Sequence, residues 1–179
     1  MQMVLVLVTG FMLAMTPLVR RLLTRIATLA RTPGSAIVIV TLVALVANWI
    51  NWGFGLVVGA VFAKEVARSV RVDYRLLIAS AYSGFIVWHG GLAGSIPLTI
   101  ATDAHFTADK IGVISTSQTI FSAFNLGIVA ALFVVVPLLN RLMMPPADES
   151  VVVDPGLLAE QAPPPPAVGT FAARLEQSR

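Results

Sequence analysis

An all-α integral membrane fold is what this sequence predicts, on three observations. Of 179 residues, 57% are hydrophobic and 12% charged, with a mean hydropathy of +0.87, whereas a soluble domain carries roughly twice that charge fraction. The apolar runs are long and do not alternate with period two, which excludes the strands of an outer-membrane barrel. Eight of the twelve Lys and Arg lie between Arg20 and Arg75, flanking apolar segments, where they act as topology signals. A pI near 10.0 therefore points to a lipid bilayer and not to nucleic acid. The absence of cysteine excludes disulfides, thiolate metal sites and cysteine nucleophiles.

The first apolar run predicts a transmembrane helix over about 3–18, with Pro17 near its end. No basic stretch precedes it and no cleavage site follows, so it does not read as a cleaved signal peptide. Residues 19–31 carry Arg20, Arg21, Arg25 and Arg31, with Leu22, Leu23, Ile26 and Leu29 on one helical face. That pattern is an amphipathic interfacial helix on the cytoplasmic side. Thr32-Pro33 opens the next element, since Pro suits the first helical turn.

Residues 33–70 form two apolar arms around Asn48-Trp49-Ile50-Asn51-Trp52-Gly53-Phe54-Gly55, with basic residues at both outer ends. Arms of about a dozen residues reach roughly 18 Å, short of the ~30 Å hydrocarbon core. The expectation is a re-entrant hairpin entering from the cytoplasmic side. Two full spans joined by an extracellular Asn-Trp turn are the competing arrangement. Lys64, Glu65 and Asp73 at its exit read as solvated or paired interface charges.

Residues 75–102 are apolar except at their centre, where Trp88-His89-Gly90-Gly91-Leu92-Ala93-Gly94-Ser95-Ile96-Pro97-Leu98-Thr99 gathers three glycines, a proline, a histidine and two hydroxyls. Gly and Pro interrupt helices. Non-helical backbone at membrane depth is tolerated only inside protein or beside a cavity, and transporters bind cargo at such discontinuous helices. A last span is expected over 118–140, entered through the hydroxyl cluster Ser115–Thr119 and closed by Arg141. Seven of the eleven prolines lie beyond Met143. This predicts a Pro-rich disordered linker over 143–168 and the start of a truncated helix over 169–179. The resulting topology puts the N-terminus outside and the C-terminal tail in the cytoplasm.

Two long strings are more specific than any glycine triplet. Asn48-Trp49-Ile50-Asn51-Trp52-Gly53-Phe54-Gly55-Leu56-Val57-Val58-Gly59-Ala60 and Ala81-Tyr82-Ser83-Gly84-Phe85-Ile86-Val87-Trp88-His89-Gly90-Gly91-Leu92-Ala93-Gly94-Ser95-Ile96-Pro97-Leu98, with Ala63-Lys64-Glu65-Val66-Ala67 between them, resemble the bacterial short-chain fatty acid transporter family. The resemblance implies half of an inverted-repeat, ion-transporter-like carrier, each half with a re-entrant hairpin and a discontinuous transmembrane helix. Residues 1–142 would be one half-repeat in the bacterial cytoplasmic (inner) membrane, and the chain an N-terminal-half fragment of a secondary transporter. The implied cargo is a short carboxylate such as butyrate or acetoacetate, with H+ or Na+ as coupling ion and no other cofactor. The implied partners are the bilayer and either the missing second repeat or another copy of the chain. A half that only assists another chain, as an accessory subunit, is the alternative.

Under that implication the substrate-binding candidates are Asn48, Asn51 and Gly53 at the hairpin tip, and Ser83, His89, Gly90, Gly91, Gly94, Ser95 and Thr99 around the interruption. Side-chain amides, hydroxyls and glycine N–H groups would bind the carboxylate, and Trp52, Phe54 and Trp88 would wall the short tail. His89 is also the coupling-ion candidate, because imidazole changes charge near neutral pH and is costly to charge within a span. Each of these has a plain structural reading as well: Asn as a turn cap, Ser83 bonded to its own helix, tryptophan as packing. No paired carboxylates or metal-ligand spacing supports an enzyme.

Overall fold

The computed structural model describes residues 2–158. The expected helix at 169–179 and the polyproline run Pro163–Pro166 lie outside the described residues. Helices α1 (Gln2–Ala14) and α2 (Pro17–Ala27) divide what the sequence suggests as one span and one interfacial helix at 3–18 and 19–31. The cause is Pro17. The residue before a proline is driven out of the helical region, and Thr16 is extended at φ −62°, ψ 145°, so Pro17 opens α2 instead of closing α1.

The hairpin is α3 (Pro33–Ile50) and α4 (Trp52–Ser69). A capping box starts α3: Thr32 accepts from the Ser35 amide, and the Ser35 hydroxyl accepts from the Thr32 amide. Each arm has 18 residues, longer than the dozen the sequence suggests, because Asn48, Trp49 and Ile50 stay helical. Asn51 alone leaves the helix, and its Oδ1 caps α4 by accepting from the Phe54 amide at 3.1 Å.

The interrupted span begins with α5 (Tyr74–Ser83), continues as a 3-10 segment (Gly84–Gly90), turns over 91–94, and ends in α6 (Ser95–Ile100). The change from α to 3-10 winding thus starts at Gly84, before the glycine cluster. There a Cβ would lie 2.5 Å from the Ala44 carbonyl carbon, so the span presses directly on α3. After a short α7 (Ala108–Ile111), α8 (Ala123–Leu142) returns along the bundle, capped by Ser122 and not by the Ser115–Thr119 cluster. No strand occurs among the described residues.

Helix α3 is the centre, packed against α4, α5, the 3-10 segment and α8. Ile37, Val40, Leu45, Phe62, Val66 and Leu77 are fully buried there. The outside is equally apolar: Phe124, Val134 and Leu142 of α8 are 79%, 66% and 74% exposed, the exterior of a bundle surrounded by lipid. Among the described residues, three stretches are long and apolar enough to cross a membrane, Pro33–Ile50, Tyr74–Ile100 and Ala123–Leu142.

At the basic end of the bundle, residues 143–158 fold back across the starts and ends of the helices. Val151 exchanges two backbone-level bonds with the α5 entry: its N–H donates to Asp73 Oδ2 at 2.8 Å, and its carbonyl accepts from the Tyr74 amide at 2.8 Å. Arg75 donates to the Glu149 carbonyl, Arg68 donates twice to the Leu158 carbonyl, and Leu158 is buried against the helices. Asp73 is the pivot. Burial alone would raise its pKa, but hydrogen bonds from Arg75 and from the Val151 and Leu76 amides outweigh that and hold it at about 2, below its ordinary 3.8.

A depressed folded-state pKa stabilises the docked arrangement above the unfolded value and stops doing so as pH falls through the folded one. The 143–158 segment is therefore expected to stay docked down to about pH 4 and to release as pH approaches 2. A spin-label pair at the exposed Arg71 and Val152 measures this as a broadened distance. Asp73→Ala removes both the α5 cap and the Val151 acceptor, with a loss of about 2 kcal/mol, and should broaden the same distance at neutral pH.

Candidate functional site

Two irregular stretches meet at the far end of the bundle from the basic base. The Leu92 amide donates to the Trp49 carbonyl at 2.7 Å, tying the turn of the interrupted span to the last turn of α3. The approach is so close that a Cβ on Gly91 would lie 2.4 Å from that carbonyl oxygen. On the other side Asn125, in the first turn of α8, donates from Nδ2 to the Gly90 carbonyl at 3.0 Å and to the Ile120 carbonyl at 2.7 Å. Trp88 closes the turn from within by donating Nε1 to the Ala93 carbonyl. Backbone groups released by the unwinding thus find partners inside the protein, as an apolar surrounding requires.

The hairpin tip contributes unequally. Asn48 is fully buried, donates to the Ala44 carbonyl at 2.8 Å and packs on Gly55; its Oδ1 and the Trp49 Nε1 are buried with no hydrogen-bond partner among the described residues. Asn51 is half-buried and, with Thr9, Gly10 and Leu13 of α1, lines a cavity of about 260 Å³. Gly53 is buried where α1 crosses, with a Cβ on Gly10 placed 3.1 Å from its carbonyl carbon.

At the interruption, His89 is exposed and stacks on Trp88 with ring centres 4.2 Å apart. Trp88 in turn lies 5.0 Å from Phe85 and 5.3 Å from Trp52, and Tyr82 stacks on Phe85 at 6.0 Å. This makes one aromatic surface from the tip and the 3-10 segment together. Ser95 and Thr99 are exposed on α6, with the Thr99 hydroxyl donating to the Ser95 carbonyl. The Gly91 and Gly94 amides already donate to the Trp88 and Gly91 carbonyls. These glycines sit at close backbone approaches, and their N–H groups are taken up by backbone carbonyls.

Ser83 is not brought to this place. Its hydroxyl donates to the Ser80 carbonyl and accepts from Asn140 Nδ2 at 2.9 Å, while Asn140 also donates to Thr41 at 3.0 Å. That polar triad joins α3, α5 and α8 within the bundle. Asn125, Asn140 and Thr41 were absent from the sequence-derived candidates. The available signal was their position, since a polar residue inside an apolar run is a functional-site candidate in its own right. No group of three or more metal-ligating side chains occurs among the described residues.

The chain matches the family described as "Short chain fatty acid transporter" over residues 1–179. It is 50% identical to the "Putative short-chain fatty acid transporter" of Escherichia coli K12 over 163 residues, covering 90% of this chain and 37% of that protein. It is 42% identical to the protein of the same name from Haemophilus influenzae over 194 residues, covering 100% of this chain and 42% of that protein. The chain thus spans about two fifths of the length of these relatives. No solved structure matches.

The geometry at the junction has a direct test. Gly91→Ala drives a Cβ into the Trp49 backbone and should lower stability by about 1–3 kcal/mol. Gly127→Ala, where a Cβ meets nothing within 4 Å, should be neutral or gain up to about 1 kcal/mol of helix propensity. Thermal unfolding of the detergent-purified chain, followed by helical circular dichroism, separates the two.

Proposed function

Because the chain belongs to the short-chain fatty acid transporter family, a family of transporters and not of enzymes, we propose that it supplies the N-terminal part of a secondary carrier for short carboxylates of the butyrate or acetoacetate kind. The single observation that carries the reading is the Leu92–Trp49 hydrogen bond. It puts the hairpin tip and the interrupted span in one place, so cargo can be held by both. Asn51 caps α4 through its oxygen and offers its amide nitrogen to a carboxylate in the cavity beside it. His89 and Ser95 are donors on the exposed side of the junction. Trp52, Phe85 and Trp88 form the wall for a short apolar tail. Gly53, Gly90, Gly91 and Gly94 let the backbones approach, and Asn48, Ser83 and Thr99 shape the surroundings through their own bonds. His89 is the candidate carrier of a coupling proton, with a sodium gradient as the competing drive.

The re-entrant reading of the hairpin draws support from α1. It runs beside α4 in the same direction: Gly10 meets Gly53 and Phe54, and Met15 shares a cavity with Val61 and Lys64. Residues 2–9 therefore continue past the tip by about 12 Å at 1.5 Å per residue, so the tip lies short of the bundle's outer limit. Arg68, Arg71, Arg75 and Arg141 at the opposite end support, by the positive-inside rule, a cytoplasmic base and an outside N-terminus. The inner membrane is the corresponding compartment. The fraction of the relatives that the chain spans favours a second reading as well: alone it is a non-transporting half, which acts once joined to the remaining segment or to another copy.

Proteoliposome uptake of labelled butyrate tests both readings, comparing this chain alone with this chain co-assembled with the remainder of a relative, under imposed proton or sodium gradients. Uptake is expected in the co-assembled form. His89→Ala should abolish that uptake while the protein stays in the membrane; unchanged kinetics in this variant would remove His89 from the site. Equal accumulation of butyrate with empty vesicles in every arrangement would end the transporter reading.

A further inference from the structure

Away from the interruption, a groove of about 310 Å³ lies between α2 and the hairpin, and every residue lining it is apolar. Leu22 and Ile26 of α2 form one wall, Leu42, Val46 and Ile50 of α3 the other, and Phe54 of α4 closes the end nearest the tip. The groove is open: Leu22, Val46 and Ile50 are 56%, 47% and 47% exposed. A strip of this length along α3, the eight helical steps from Leu42 to Ile50, runs about 12 Å, the dimension of an acyl chain segment lying along a helix.

What covers it is indicated by charge. Helix α2 turns its apolar stripe to the groove and carries Arg20, Arg21 and Arg25 off that stripe. Arg21 and Arg25 are exposed, four residues apart, and therefore on one face. Arg25 also sits one turn from Leu22, at the groove's rim. The other flank of α2 faces a second cavity lined by Arg20, Lys64 and Arg68, with Glu65 as the one acid there. An apolar slot under a helix with a basic rim matches a lipid with an anionic headgroup: the acyl chain fills the slot and the phosphate meets the arginines. A water-soluble anion would use the rim and leave the slot open.

We propose that the α2–hairpin groove is a binding site for one anionic phospholipid, its phosphate held by Arg21 and Arg25 and one acyl chain laid along α3 between Leu42 and Ile50 toward the hairpin tip. At its tip end the groove adjoins the Asn51 cavity, with which it shares Ile50 and Phe54, while its phosphate end lies on α2, away from the junction.

The test uses the full chain and two probes, palmitoyl-oleoyl phosphatidylglycerol and the zwitterionic phosphatidylcholine with the same tails. Native mass spectrometry from detergent should show one phosphatidylglycerol retained in preference to phosphatidylcholine by roughly tenfold or more, from about one charge–charge contact per arginine. Arg21→Gln with Arg25→Gln should bring that ratio to about one, while circular dichroism still reports a folded chain. Equal retention of the two lipids by the parent chain, or an unchanged preference in the double variant, overturns the proposal. A measurement that needs no variant guards against misfolding: phosphatidylglycerol with a diazirine at the tail, photolysed in vesicles with the parent chain. Adducts concentrated on residues 19–26 and 42–50 support the groove, and adducts confined to the outer faces of α1 and α8 refute it.

Discussion

Peptide groups that leave a helix inside an apolar medium must find partners within the protein, and the junction between Trp49 and Leu92 is where this molecule meets that requirement. The turn after the 3-10 segment cannot use its own helix, so its amide at Leu92 takes the carbonyl at the end of α3. The Gly90 and Ile120 carbonyls take the two hydrogens of one Asn125 amide. Only glycine at position 91 permits the first of these contacts. Once it exists, the hairpin, the interrupted span and the start of α8 are fixed at one level of the bundle.

The opposite end is held by a different chemistry. Asp73, Arg75 and Arg68 bind backbone groups of the segment that follows α8. The bundle is therefore pinned by polar contacts at both ends, and its middle is apolar except for the Thr41–Ser83–Asn140 triad and the buried Ser80 beside it. Helices α3, α4 and α5, which share most of the buried surface, form the stiff part. Helix α8 is less enclosed, with most of its surface outward, and α1 meets the core mainly through its contact with α4. The tip and the interruption, by contrast, are bound directly to each other through the Leu92–Trp49 hydrogen bond.

Composition and apolar run length sufficed for an all-helical membrane protein, because burying backbone in lipid leaves few alternatives once strands of period two are absent. Pro33, Asn51 and the glycine cluster also announced the hairpin and the interruption, since each acts through local backbone chemistry: a missing N–H, a side-chain cap, a missing Cβ. Less visible was where the helices would stop. Pro17 reads as the close of the first apolar run, yet it opens the next helix, because the residue before it is driven into extended backbone. Gly84 looks like an ordinary small helical residue until α3 is seen against it.

The roles of the polar residues divide along the same line. That His89 and Asn51 sit among apolar neighbours is plain in the chain itself. That Ser83 turns to Asn140, 57 residues away, and that Asn125 reaches back 35 residues to Gly90, is not, because nothing local distinguishes an amide that will bind cargo from one that will bind a distant carbonyl. Local rules govern groups whose partners lie within a turn of helix. Partners separated by whole helices are chosen by how those helices pack, and here that packing turns scattered amides and glycines into one junction.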